Sequence, residues 1–295
     1  MSAQTVDPFD LEQTGPPRDR WTRPLLIPPN GGERIPYTRM STLGDYLCDD
    51  FGIGVWQRRL LAIGLSERED LCAMTAALPA LNDAKCDKRS LTKPQREQDV
   101  DTKKKLDEYI DQALETAGRN YKANMGTAIH GLIERGDVQT APVAIQSDVA
   151  AALDAIRDAG MTVLASEVFV ANDELQAAGS FDHIIDVPLP GWGPVVADVK
   201  TGSVSGKDLA FAVQVAGYAG GVVYDWHDDT RSSLDTLCDG RRLNRKRGLI
   251  IHVPLGGGRC DFYAVDLMIG AHAARLATQV RKARTLTGLL SKADF

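Results

Sequence analysis

Gly179–Gly202, GSFDHIIDVPLPGWGPVVADVKTG, is the stretch whose reading decides the fold. Two apolar runs, Ser180–Val187 and Pro194–Lys200, have the composition of strands, and the PLPGWG between them has that of a turn. Alternate residues of a strand share a face, so Val196, Asp198 and Lys200 point one way and Val195, Ala197 and Val199 the other. If the two runs pair as a hairpin, Asp182 meets Asp198 and Lys200. Two carboxylates brought together repel, and a divalent cation relieves the repulsion. Oxygen donors of this kind suit Mg²⁺, usually held by one or two carboxylates plus phosphate. The lysine then orients a water or offsets charge on a phosphate. An exposed hairpin whose charges face solvent accounts for the same residues without any chemistry.

Further pieces stand in order on either side. Gly126–His130, GTAIH, lies on an expected helix upstream, and Gln214–Tyr218, QVAGY, on one downstream. With GSFD and DVK between them, this order resembles the RecB-type branch of the PD-(D/E)xK nuclease superfamily. That branch is marked by a helical histidine, G-x-x-D, D-x-K and Q-x-x-x-Y, and the likeness covers nearly a third of the chain. The elements expected from Tyr121 onward match its restriction-endonuclease-like αβββαβ core, an α/β arrangement with a mixed sheet and helices on both faces. The helical region ahead of it is then an N-terminal lobe.

The resemblance implies a metal-dependent DNA exonuclease, of the kind used in phage or bacterial recombination and end processing. Mg²⁺, with Mn²⁺ as a substitute, is then held by His130, Asp182, Asp198 and the Val199 carbonyl. Lys200, Asp198 and Asp182 are the implied catalytic residues, with Glu167 in support on the preceding strand. Gln214 and Tyr218, four apart on one helix face, hold the D-x-K strand or the DNA; packing alone explains Tyr218 equally well. DNA is the implied partner, and a single-strand annealing recombination protein is a further one. A structure-specific endonuclease and a noncatalytic DNA-end-binding module are the rival readings. Some relatives carry an iron–sulfur cluster on one early cysteine and a close group of three late ones. Here Cys48, Cys72, Cys86, Cys238 and Cys260 are scattered, and no cluster is expected.

Composition sets wider bounds. The 295 residues are 43% hydrophobic, as in a globular protein, and no apolar run approaches the ~18 residues of a membrane helix. The start has no basic segment followed by an apolar core, so no secretory signal is expected there, and scattered thiols fit the cytoplasm. The formal net charge of −6 argues against nonspecific coating of DNA. Basic charge is concentrated at Arg241, Arg242, Arg245, Lys246 and Arg247, either a solvated loop or a rim contacting phosphate.

Taken in order, residues 1–36 are rich in Pro, Gly and charge and read as a flexible arm, with Trp21 and Leu25–Ile27 as possible anchors. Residues 37–118 form the lobe. Thr42 and Ser66 are its candidate helix caps, and Trp56 is read as core in preference to a base-stacking residue. A polar helix runs over 95–117 with Val100, Leu106, Ile110 and Leu114 as its apolar stripe, covering an entrance or merely solvated. Residues 119–295 form the nuclease core. It has helices over 121–135, 146–159 and 207–224, strands over 161–170, 248–253 and 259–265, and an irregular 226–247. His252 is structural, Glu134 faces solvent, and Asp266 caps a C-terminal helix.

Overall fold

The computed structural model describes residues 15–291 apart from 50 and 85. In chain order the elements are β1 (Leu25–Leu26), β2 (Ile35–Pro36), β3 (Thr38–Arg39), α1 (Met40–Leu43), α2 (Phe51–Ser66), α3 (Glu69–Ala76), α4 (Lys93–Thr116), α5 (Tyr121–Arg135) and α6 (Val143–Asp158). They continue as β4 (Thr162–Asn172), β5 (Ala177–Val187), β6 (Gly193–Lys200), α7 (Asp208–Ala219), β7 (Val222–Asp225), β8 (Thr230–Ser232), β9 (Arg247–His252), β10 (Asp261–Asp266) and α8 (Leu267–Ala283). The chain divides into two compact units, residues 1–48 with 128–295, and residues 49–127. Among the described residues no helix is long and apolar enough to cross a membrane.

The first unit is built on a mixed sheet in the order β10–β9–β6–β5–β4–β7–β8, with β3 added alongside β5. β5 and β6 are antiparallel, as a hairpin requires, whereas β6 and β9 are parallel. A parallel neighbour cannot be reached by a tight turn, and α7 lies within this crossover. Met40, Phe181, Val196, Val213, Tyr218, Ile250 and Ala274 belong to one buried cluster that joins the sheet to α1, α7 and α8. Asp266 caps α8 as its position predicts, accepting from the N–H groups of Met268 and Ile269.

Several expectations need correction. The described part of the supposed flexible arm is folded. β1 and β2 pair, Leu26 is fully buried, and Tyr37 donates to Asp173 at 2.6 Å. Arg231 donates to the Ile27 carbonyl, and Arg34 pairs with Asp229. Trp21, one of the suggested anchors, is exposed. The expected helix over 207–224 ends at Ala219, and β7 follows. Gly221 makes this possible, because a Cβ there would lie 2.4 Å from Val170 Cγ1 and 2.8 Å from the Ala171 carbonyl oxygen. β7 and β8 thus extend the sheet beyond the expected αβββαβ order, within a stretch read as partly helical and partly irregular.

The second unit, residues 49–127, contains α2, α3, α4 and the start of α5. α4 begins as a capping box: the Gln95 side chain accepts from the Thr92 N–H at 2.9 Å. Gly118, at φ +78°, takes the left-handed conformation just past its end. Neither Thr42 nor Ser66 caps a helix; each sits inside one and returns its hydroxyl to a carbonyl, of Arg39 and Ile63 respectively. Trp56 is exposed, and so are Val100 and Ile110 of the expected stripe. The buried positions of α4 are Asp99, Thr102, Ala113 and Leu114. Asp99 accepts from the backbone and side chain of Asn82 and from the Asp83 N–H, which satisfies a carboxylate on the inner face.

Candidate active site

The register of the central strands decides what the acidic residues do. β4 and β5 pair at Ser166–His183 and again at Val168–Phe181; the position between holds Glu167 and Asp182. β5 and β6 pair from Val187–Gly193 to His183–Ala197, and the next position in that register holds Asp182 and Asp198. Three carboxylates from three adjacent strands therefore occupy one row of the sheet. The row is also where regular geometry fails. Glu167 has φ +51°, rare for a residue with a side chain. The Asp182 carboxylate, in turn, accepts the Val199 N–H at 2.5 Å.

Each side chain has a local support. His130, on α5, contacts Asp182 Oδ1 through Nδ1 at 3.0 Å. A carboxylate only accepts, so Nδ1 carries the proton. Asp198 is 3% exposed, a burial that leaves its charge dependent on its partners. Its Oδ1 accepts from Gln214 Nε2 at 3.3 Å. Its Oδ2 touches the Lys200 ammonium but has no hydrogen bond of good geometry. Lys200 in turn donates to Gln214 Oε1 at 3.0 Å, so one amide clamps both members of D-x-K. Gln214 also donates to the Tyr218 hydroxyl, at 3.4 Å. The Gly179 of GSFD lies beneath that hydroxyl, where a Cβ would be 3.4 Å from it.

The charges follow from this packing. Burial raises Asp198 to a pKa of about 6 against the pull of Lys200, and the charge on Asp182 adds to the rise. Burial also pushes Asp182 up, but the His130 hydrogen bond and charge, the Val199 N–H and Lys200 outweigh it and hold the carboxyl low. His130 is raised: burial opposes its charge, and Asp182 more than compensates. Glu167 is raised by burial and by the charges of Asp182 and Glu134. Tyr218 is raised by burial and by the Asp198 charge, so it stays a neutral hydroxyl.

The structure brings together His130, Glu167, Asp182, Asp198, Val199, Lys200, Gln214 and Tyr218. It does not bring Arg241, Arg242 or Arg245 to them. Arg241 pairs with Asp186 at 2.7 Å, four residues further along β5 than Asp182. Arg245 donates to the Ala219 carbonyl and approaches Asp235, while Arg242 is exposed on the same loop. Asn244 N–H, within this loop, bonds the Pro194 carbonyl near the start of β6, whereas Lys200 ends that strand. Glu134 is exposed, and His252 is buried with Nε2 against the Gly202 carbonyl at 3.0 Å. Phe211 was not singled out from the sequence, yet its ring lies 5.3 Å from Lys200 Nζ. Its position three residues before Gln214 on the same helix is the signal that could have found it.

Two carboxylates and a strand carbonyl suit a hard divalent cation in kind, the softer imidazole is tolerated by Mn²⁺, and Asp198 Oδ2, which has no hydrogen bond, is an oxygen such a cation takes. As folded, His130 and Lys200 occupy these oxygens, and among the described residues no three His, Cys, Asp or Glu side chains are grouped to hold a metal ion. Cation binding therefore requires those two side chains to shift. No family model and no curated protein matches the chain.

Proposed function

We propose that this chain is a metal-dependent deoxyribonuclease, acting as an exonuclease on DNA ends. The observation that carries the reading is the row of Glu167, Asp182 and Asp198 across three adjacent strands, with Lys200 clamped beside it by Gln214. His130, Asp182, Asp198 and the Val199 carbonyl are the groups that would hold Mg²⁺ or Mn²⁺. The ion's contribution, when bound, is to make a water acidic enough to attack phosphorus and to neutralise phosphate charge. Lys200 Nζ is the group that would offset charge growing on a phosphoryl oxygen. Gln214 holds that group beside Asp198 until an ion binds, and is itself bonded to buried Tyr218. His130 keeps Asp182 oriented until the ion is bound. The roles in recombination and end processing, and the annealing-protein partner, extend this proposal by resemblance.

One observation favours a second reading, a noncatalytic DNA-end-binding module: Asp182 and Asp198 already have basic partners, His130 and Lys200, among the described residues. A single assay separates them. Linear and circular, single- and double-stranded DNA, labelled at either end, is incubated with Mg²⁺, Mn²⁺ or EDTA. Wild type is expected to degrade linear DNA only with metal; cleavage of circles makes it an endonuclease instead. Asp182→Ala and Asp198→Ala are expected to lose about a thousandfold or more in single-turnover rate. Lys200→Ala is expected to lose about a hundredfold while still binding metal, and Lys200→Arg to recover little of it. Wild-type cleavage by Lys200→Ala would overturn the assignment, and no cleavage by any form moves the binding module to the front.

A further inference from the structure

Away from the acidic row, the first unit contains a cavity of about 530 Å³ between the residues before α1 and the end of α8. Arg23, Arg39, Arg281, Lys282 and Arg284 line it, together with Trp21 and Tyr46, and no Asp or Glu is among its described lining residues. In a chain of net charge −6 such a concentration runs against the overall sign. Basic residues in the last turn of a helix complement its dipole, which accounts for Arg281 and Lys282 in part. It does not account for Arg39, which comes from β3.

Arg281 is the informative residue. Its guanidinium is drawn inward and donates to the Thr38 hydroxyl and to the carbonyls of Gln176, at 3.2 Å, and Leu175, at 2.9 Å. All three acceptors are neutral. Burial holds its pKa below the ordinary arginine value, with Arg23 adding repulsion and Tyr46 opposing it. A half-buried cation facing a cavity of further cations is poorly compensated, and an anion in that cavity repairs it. Arg23 already pairs with Asp19 at 2.6 Å, and among the described residues Arg39, Arg281, Lys282 and Arg284 form no ion pair and are left to face the ligand. Two aromatic rings are among the lining residues, Trp21 with Arg20 at 3.9 Å and Arg23 at 4.9 Å from its ring, and Tyr46 with Arg284 at 5.4 Å. Guanidinium and aromatic planes together are a surface on which a nucleobase stacks.

We infer that this cavity is a binding site for a phosphate-bearing nucleotide unit, with the phosphate on Arg39, Arg281 and Lys282 and the base against Trp21 or Tyr46. The unit comes either from a nucleic-acid strand or from a free nucleotide. β5 runs from Ala177, paired with β3 beside the cavity, to Asp182, five residues or about 17 Å away, so the two sites are distinct. The inference stands without the nuclease reading, because it uses none of the acidic row.

Titrations in EDTA test it, with a 5′-phosphorylated oligonucleotide, its 5′-hydroxyl twin, a nucleoside 5′-monophosphate and the bare nucleoside as probes. Tryptophan fluorescence and anisotropy are the readouts. The full chain is compared with Arg39→Ser/Lys282→Ser, both exposed positions, and with Trp21→Ala, with melting temperatures checking the fold. A phosphate-bearing probe is expected to bind, the double variant to weaken it tenfold or more and to flatten its salt dependence, and the nucleoside not to bind. Competition by the monophosphate identifies a free nucleotide, and binding by oligonucleotides alone identifies a strand. Failure of every phosphate probe to bind, or equal binding by a folded double variant, would overturn the inference.

Discussion

At the scale of single residues, Asp198 sets the most testable consequence. Its folded pKa of about 6 lies above that of an unfolded aspartate, so the folded protein holds the extra proton between those values. Stability of the metal-free protein therefore falls as pH rises from about 4 to 6 and stays lower above, by on the order of 2–3 kcal/mol. His130, also raised, adds stability that is present below its unfolded pKa and lost as pH climbs through its folded one. Asp182, held low, matters only in stronger acid, where its contribution is lost as it protonates. Melting in EDTA is expected to give a higher midpoint at pH 5 than at pH 8, with Asp198→Asn narrowing the gap; an unchanged gap would remove Asp198 as its source. The thiols give an independent check. Burial raises Cys260 to about 11, so roughly one thiol in a thousand is ionised at pH 8, while Cys72 and Cys86 are exposed. Alkylation followed by mass spectrometry is expected to label Cys72 and Cys86 well before Cys260.

At the scale of elements, close approaches separate what was legible from what was not. The hairpin, α5 and α8 were readable because alternation, helical spacing and a capping aspartate are local signals. The row of carboxylates was half legible. Asp182 and Asp198 follow from pairing the hairpin, whereas the support of Glu167 came from resemblance and its place from the β4 register. β7 was hidden because Val222–Tyr224 continues the apolar character of α7, and only the Gly220–Gly221 pair marked the break. The expected α4 stripe failed because its inner face carries Asp99 and Thr102, satisfied by partners that periodicity does not reveal. α2 and α4 meet through Gly64, where a Cβ would lie 1.8 Å from the Ala113 carbonyl oxygen. Backbone cannot give way as a flexible side chain does, so Gly64→Ala is expected to cost about 3 kcal/mol or more. Urea denaturation measures this, and a variant within 1 kcal/mol of wild type would show that the helices separate at little cost.

At the scale of the whole molecule, the first unit is assembled from two stretches of chain, residues 1–48 and 128–295. The N-terminal part was misread as an arm because its strands are two residues long and its partners lie more than a hundred positions away. Composition reports neither. Leu26→Ala is accordingly expected to destabilise the protein by about 2–5 kcal/mol, the range for a fully buried leucine. A truly flexible arm predicts no change, so an unaltered melting temperature would decide against the packed segment.

This divided core also constrains how the protein is made. Thr38 waits for Arg281, 243 residues later, before their hydrogen bond can form. At a synthesis rate of about 5–20 residues per second, that is a delay of roughly 12–50 s. For most of it Leu26 and Tyr37 wait for β4, β5 and β7, the last of which ends at Asp225. β1 and β2 can pair with each other at once, but until β5 is made β3 has no strand to join and Leu26 and Tyr37 have no core to enter, so the early chain exposes them while residues 49–127 are synthesised.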